Sequence, residues 1–277
     1  MQFELKGVSI SYPKSKMILD NIDLSITKGE FIGIAGRSGS GKTTLIETIG
    51  GLHKPVNGSV FFEGKEINNK SFDNLTFRRK LQMVFQFPEN QFFENTIYDE
   101  IAFSLRMLKL PENVVNSKIQ LCLEKTGLSE ETVNEKSPFT LSGGQKRRLS
   151  LACALATEPE ILLLDEPFSG MDAEATEKIK KTLRKENENG TTIIMVSHDP
   201  EIMCELCKRI IVISQGKIIK EGKPEKVYGN SVDCKFLGIG TPDTVYASEL
   251  IGLDLSDDLS YGSFIKNLLQ KISGGDI

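Results

Sequence analysis

The chain has 277 residues, enough for one large domain or a domain with a small appendage, and is 39% apolar and 26% charged. Its 34 Lys and Arg stand against 38 Asp and Glu, a net charge of -4, which argues against a dedicated nucleic-acid binder. No run approaches the ~18 consecutive apolar residues of a membrane helix, and the start, Met1-Gln2-Phe3-Glu4-Leu5-Lys6-Gly7, lacks an export-signal pattern.

Phe3 to Tyr12 reads as a strand, with apolar residues at Phe3, Leu5, Val8 and Ile10. After the turn at Lys28-Gly29-Glu30, the apolar run Phe31 to Ala35 enters the glycine-rich segment Gly36 to Gly41, and a helix is predicted from Lys42 to about Gly50. Gly58 to Lys65 reads as a strand and turn. From Asn95 to about Ala156 the pattern is mostly helical: Ile97, Ile101, Leu105 and Leu108 recur at near-helical spacing, Pro111 breaks the run, and Val114 to Lys125 is a second amphipathic stretch.

Ile161 to Leu164 is short and wholly apolar, the pattern of a strand buried on both faces of a parallel sheet. Asp172 to Asn189 is a charged helix stopped by Gly190, Thr191 to Ser197 another buried strand, and Arg209 to Glu221 a hairpin turning at Gln215-Gly216. Strands alternating with helices imply an α/β domain with a mainly parallel sheet. Five cysteines, an odd number, read as reduced thiols, and Cys204-Glu205-Leu206-Cys207, with no second pair for zinc, as ordinary helix cysteines. From about Phe236 the pattern changes: Gly238, Gly240 and Pro242 interrupt it, a short helix is expected over Thr244 to Ile251, and a clearer one near Ser263 lines up Phe264, Ile265, Leu268, Leu269 and Ile272.

Three segments carry chemistry. Gly36-Arg37-Ser38-Gly39-Ser40-Gly41-Lys42-Thr43 satisfies the phosphate-loop pattern G-x-x-x-x-G-K-[ST], between a predicted strand and a predicted helix. Glycines let such a loop turn its N–H groups onto phosphate oxygens, and the helix adds its positive end. Lys42 then reaches the β- and γ-phosphates, and Thr43 offers a hydroxyl to Mg²⁺. Asp165 ends the apolar strand, where open α/β sheets bind ligands, so it can hold the Mg²⁺ shell, and Glu166 can act as general base on water. Leu141-Ser142-Gly143-Gly144-Gln145 has capping-box spacing at a helix start. Capping leaves unexplained two glycines that cost roughly 1 kcal/mol each relative to Ala; a phosphate approaching that helix tip would explain them.

With those segments together, the chain resembles the ABC ATPase family over roughly residues 1–235, with helical subdomain at about 90–156. The resemblance implies a P-loop NTPase fold with a mainly parallel core sheet, an antiparallel β subdomain, a helical subdomain and a small C-terminal helical module at 236–277. It implies ATP and Mg²⁺ as bound groups. Tyr12 would stack on adenine, Gly36, Arg37, Ser38, Gly39, Ser40, Gly41, Lys42, Thr43 and Thr44 would bind ATP, and Gln86 would be the lid glutamine. Thr43, Gln86 and Asp165 would attend the metal, and Glu166 and the switch histidine His198 the chemistry. Ser169-Gly170-Met171-Asp172 would touch the partner, and Ser142, Gly143, Gly144 and Gln145 would close over ATP held by a second ATPase subunit. With one copy of each motif, the chain must pair with itself or a close relative.

Phe87-Pro88-Glu89-Asn90-Gln91-Phe92-Phe93 and the following Thr96 to Phe103 are similar to ATPases of energy-coupling factor (ECF) transporters, which import vitamins or transition-metal ions. That likeness implies a transmembrane coupling subunit and a substrate-binding membrane subunit as partners, no nucleic acid, and a peripheral place on the cytoplasmic face of the membrane. It also implies that the tail, whose likeness rests mainly on Thr241-Pro242, helps hold the ATPase pair together. Phe85, Phe87, Phe92 and Phe93 are too many aromatics for a plain loop; core packing suits Phe85, and a groove for a partner helix suits others. Glu89, Asp99 and Glu100 are expected to receive basic groups of that partner. A conventional ABC solute importer would share every catalytic motif and differ in the tail and the segment after Gln86. A soluble ABC protein of DNA repair or translation would carry two ATPase cores or long insertions, and a binding-only regulator would lack the intact Lys42, Asp165, Glu166 and His198.

Overall fold

The computed structural model describes residues 1–12, 16–128, 136–255 and 258–274. In chain order the first elements are β1 (Phe3–Ser11), β2 (Met17–Ile26), β3 (Phe31–Ala35), α1 (Lys42–Ile49), β4 (Asn57–Phe62), β5 (Lys65–Glu66), α2 (Asn74–Lys80) and β6 (Leu81–Val84). The helical stretch follows as α3 (Ile97–Met107), α4 (Glu112–Thr126) and α5 (Gly143–Ala156). Then come β7 (Ile161–Asp165), α6 (Ala173–Glu188), β8 (Thr192–Val196), α7 (Pro200–Leu206), β9 (Arg209–Ser214) and β10 (Lys217–Gly222). The chain closes with α8 (Pro224–Tyr228), α9 (Ser231–Leu237), α10 (Asp243–Ile251) and α11 (Tyr261–Gly274).

Contacts divide the chain into two compact units, Met1–Thr27, Phe31–Lys70 and Met195–Ile277 in one, Lys28–Glu30 and Ser71–Ile194 in the other. In the first, β2-β1-β4-β5 form an antiparallel sheet, and β3 pairs parallel to β9, itself antiparallel to β10. The β9–β10 hairpin turns at Gln215 (φ 49°) and Gly216 (φ 76°), the double left-handed geometry whose twist matches a two-residue hairpin. In the second unit β6 and β7 run parallel, and α4 packs against α3, α5 and α6 around Ile101, Leu105, Ile119, Leu123 and Leu149. Every residue of β3, β7 and β8 is buried, which explains apolar runs without alternation: both faces of these strands are covered. The α/β class with mostly parallel core strands and a separate antiparallel sheet is the predicted one.

Helix α9 ends before Gly238, whose left-handed φ of 68° stops it. Helix α11 begins at Tyr261, two residues before Ser263, where a helix is expected. Its Ile265, Leu269 and Ile272 are exposed and Phe264 and Leu268 half-buried, so the predicted apolar face is only partly covered within this chain. Among the described residues no helix is long and apolar enough to cross a membrane. The five cysteines are free thiols, and burial pushes the Cys122 thiol up to about 11, so at neutral pH it packs as an apolar group.

Candidate nucleotide site

The predicted site residues fall into two groups, one in each unit. In the first, fully buried β3 delivers the chain to Gly36. A side chain on Gly36 (φ 147°) would meet the Ile213 carbonyl oxygen at 2.2 Å, and one on Gly41 (φ 107°) would meet Leu19 at 2.9 Å. Gly39, also at positive φ (74°), has nothing among the described residues within 4 Å of its added Cβ, so packing there does not require it. The β9–β10 turn holds the loop from outside, Gly216 N–H donating to the Ser40 carbonyl at 3.1 Å.

Gly41 stands at the N-cap of α1 without a capping side chain, which leaves that helix tip to a ligand. Lys42 is only 6% exposed, and its ammonium donates to the Gly36 and Arg37 carbonyls at 2.8 and 3.0 Å. Thr43 faces outward while Thr44 is buried. Tyr12, just past β1, keeps 41% of its surface exposed. His198 is exposed after β8, and Asp199 beside it, not His198, caps α7 by accepting from the Glu201 and Ile202 N–H groups. The tail reaches this group: a Cβ on Gly238 would lie 2.2 Å from Arg37 Nε, and Glu201 accepts from Asp243 N–H.

In the second unit, Asp165 ends β7 at 2% exposure, and Glu166 follows in a left-handed conformation (φ 52°). For a residue with a Cβ that conformation costs of order 1–3 kcal/mol and occurs where surrounding structure enforces it. Arg147 on α5 contributes to that: its Nε donates to the Glu166 carbonyl at 3.1 Å and its Nη2 to the Gln86 carbonyl at 2.8 Å. Nothing in the sequence pattern singled Arg147 out, because its partners are main-chain atoms of distant segments. Gln86 lies two residues beyond the end of β6 and is exposed, so it belongs to the loop that follows the strand.

The capping box at the start of α5 is present: Gln145 N–H donates to Ser142 Oγ at 3.3 Å, and Ser142 N–H to Gln145 Oε1 at 2.9 Å. The two glycines behind it differ. A Cβ on Gly144 would meet the Gly170 carbonyl oxygen at 2.7 Å, so close packing inside the chain already requires that glycine. At Gly143 nothing among the described residues lies within 4 Å of an added Cβ, and Ser142 is exposed, which leaves this part of the helix tip open to a guest.

The aromatic segment splits as well. Phe92 is buried, Phe85 half-buried, and Phe87, Phe93 and Phe103 are exposed, Phe93 standing edge-to-face on Phe103 at 4.7 Å between centroids. The acidic groups do not all face outward as expected. Glu100 is 7% exposed and its Oε2 accepts from Phe93 and Glu94 N–H at 3.1 and 2.9 Å, so it shapes the loop. Asp99 is engaged by Thr96 and Arg106, which hold its carboxyl below the usual range. The side chain of Glu89 lies outside the described residues.

A glycine-rich loop with an uncapped helix tip, a buried aspartate ending a core strand and a signature capping box define a P-loop ATPase of the cassette type. The profile of the ABC transporter family matches residues 19–169, more than half the chain, and the chain belongs to that family. The energy-coupling factor transporter ATP-binding protein EcfA2 of Clostridium tetani is 38% identical over 94% of this chain and 92% of its own length. Among solved structures, cbiO1 from Clostridium perfringens, part of the ABC transporter complex cbiONQ, superposes with a TM-score of 0.73 at 30% identity, covering 89% of this chain and 98% of that one. A dimeric ATP-binding cassette in a post-hydrolysis state with ADP and Pi gives a TM-score of 0.73 at 32% identity, over 80% of this chain and 98% of its own.

Proposed function

We propose that this chain is the ATP-binding and ATP-hydrolysing subunit of an ECF-type importer of vitamins or transition-metal ions, working in a pair on the cytoplasmic face of the membrane. The observation that carries the reading is an open phosphate loop and an open signature tip, Gly39 and Gly143, each present once. One chain therefore offers half of two composite pockets, and a second ATPase subunit, identical or closely related, supplies the rest. Residues 1–235 serve as the ATPase domain and 236–277 as a module whose partly uncovered α11 face meets the second subunit. Exposed Phe87, Phe93 and Phe103 offer an apolar footing for the transmembrane coupling subunit, which links the pair to a substrate-binding membrane subunit.

On binding ATP, the N–H groups of Gly36 to Thr44 take the phosphate oxygens, and Lys42 exchanges its carbonyl partners for the β- and γ-phosphates. Tyr12 offers its exposed ring to the base. Thr43, Gln86 and Asp165 carry hydroxyl, amide and carboxylate oxygens, hard ligands of the kind that would suit Mg²⁺. Mg²⁺ held by these oxygens would neutralise charge on the phosphates. Ser142 and Gly144 of one subunit close on the γ-phosphate that Lys42 holds in the other, with Gly143 and Gln145 shaping the tip. Glu166 removes a proton from the attacking water, and His198 contacts the γ-phosphate. Loss of that phosphate removes the contacts that favoured closure, and the pair opens.

Three measurements test this. Hydrolysis per chain should fall on dilution below the pairing concentration, and Glu166→Gln should accumulate an ATP-bound closed pair. A constant rate per chain in a strictly monomeric sample refutes the composite pocket. Purification from membranes should retain a multi-span protein, and its absence from solubilised complexes would remove the transporter assignment.

A further inference from the structure

Tyr12 and His53 stand far apart in the sequence and meet in the first unit: Tyr12 Oη lies 3.2 Å from His53 Nε2, and the rings are edge-to-face at 77° with centroids 5.5 Å apart. The same Nε2 lies 2.7 Å from Glu47 Oε2. An ionised carboxylate only accepts, so the network assigns the proton to Nε2, which donates to Glu47 and presents a longer branch to the tyrosine oxygen. His53 and Glu47 side chains are largely covered, at 23% and 20% exposure, whereas Tyr12 is more open. Glu47 belongs to α1, the helix that begins at Lys42.

We propose that His53 is a positioning residue for nucleobase recognition: held by Glu47, it fixes the Tyr12 ring as a preformed stacking shelf, set from the same helix that starts at the phosphate loop. The proposal rests on Tyr12 being the base-stacking residue. An unrestrained exposed tyrosine must be ordered when a base stacks on it, and ordering it beforehand is worth about 2- to 10-fold in affinity. The gain applies only to ligands that carry a base, because the phosphate loop makes its own contacts.

The test measures Mg²⁺-dependent binding of ATP and of inorganic tripolyphosphate to the full chain and to His53→Ala, His53→Gln, Glu47→Ala and Tyr12→Ala. His53→Ala should raise the ATP Kd about 2- to 10-fold and leave the tripolyphosphate Kd within error. Glu47→Ala should act in the same direction without adding to His53→Ala, and His53→Gln, which retains an N–H donor, should recover part of the loss. Equal weakening of both ligands would mean a distorted phosphate loop and overturn the proposal. So would an unchanged ATP Kd in His53→Ala while Tyr12→Ala loses ATP selectively, and that result would leave the stacking role intact. If Tyr12→Ala itself shows no ATP-selective loss, the stacking role fails and the proposal with it.

Discussion

Replacing Arg147 by alanine separates catalytic geometry from nucleotide affinity. The wild-type guanidinium makes two donations, at 3.1 Å to the Glu166 carbonyl and at 2.8 Å to the Gln86 carbonyl. A hydrogen bond from a charged donor contributes about 1.5–3 kcal/mol when shielded and less at an exposed site. The Glu166 bond is the part-buried one, and the peptide it holds is in the left-handed region. The Ser169 N–H also approaches that carbonyl, but at 3.4 Å, a weak contact. Losing about 2 kcal/mol of support lets Glu166 drift from its aim, and if that loss appears in the barrier, kcat falls about 30-fold. ATP affinity should stay within about twofold, because the phosphate loop and Tyr12 are untouched and the bond lost at Gln86 is the exposed, weaker one. Arg147→Lys should resemble the alanine variant more than wild type, since an ammonium lacks the fork that spans two carbonyls. Steady-state ATPase rates with separately measured nucleotide binding decide the matter. A kcat within threefold of wild type, or a Kd rising in step with the kcat loss, would refute the reasoning.

The two signature glycines should part company: Gly144→Ala, blocked by the Gly170 carbonyl at 2.7 Å, should cost about 1–3 kcal/mol of stability in thermal melts, whereas Gly143→Ala should melt at or slightly above wild type and lose ATPase activity. Glu100→Ala should destabilise the fold by about 1–3 kcal/mol by leaving two main-chain donors without their acceptor, with faster amide exchange at Phe93 and Glu94 as the local readout. The Asp99 carboxyl is depressed by the Thr96 hydroxyl first and Arg106 second, so its support is present above the ordinary carboxylate range and is lost as pH falls through the folded value. Melting temperature should therefore drop less steeply below about pH 4 in Asp99→Asn than in wild type.

Where the sequence was legible, one local rule decided the structure. The apolar run at 161–164 had to be covered on both faces, and Gln215-Gly216 had to turn a tight hairpin; both outcomes follow from residues within a few positions. The glycine-rich loop could be read for the same reason, since its conformational demand is written in its own residues. Illegible features depend on partners distant in the chain. Acidity at Glu100 is uninformative until the loop at Phe93 folds back and presents two N–H groups to it. His53 and Arg147 carry no periodic or motif signal, and each acquires its role only from a neighbour placed by the fold. Helix α11 shows a third case: its apolar spacing predicted a face, but spacing cannot say whether the cover comes from the same chain.

The glycines also show why a motif should not be treated as uniform. Gly36, Gly41 and Gly144 are each backed by atoms of this chain within 3 Å of where a Cβ would sit, so they would be needed even if no nucleotide ever bound. Gly39 and Gly143 face open space, one at positive φ and one in the first turn of α5. Fold stability alone would accept alanine at Gly143 and favour it as the better helix former. That the helix starts there with glycine instead, at a tip already capped by Ser142 and Gln145, points to a requirement imposed from outside the chain. A phosphate held by a second subunit, as in the proposed function, would meet that requirement, because it needs N–H groups approached without a side chain in the way.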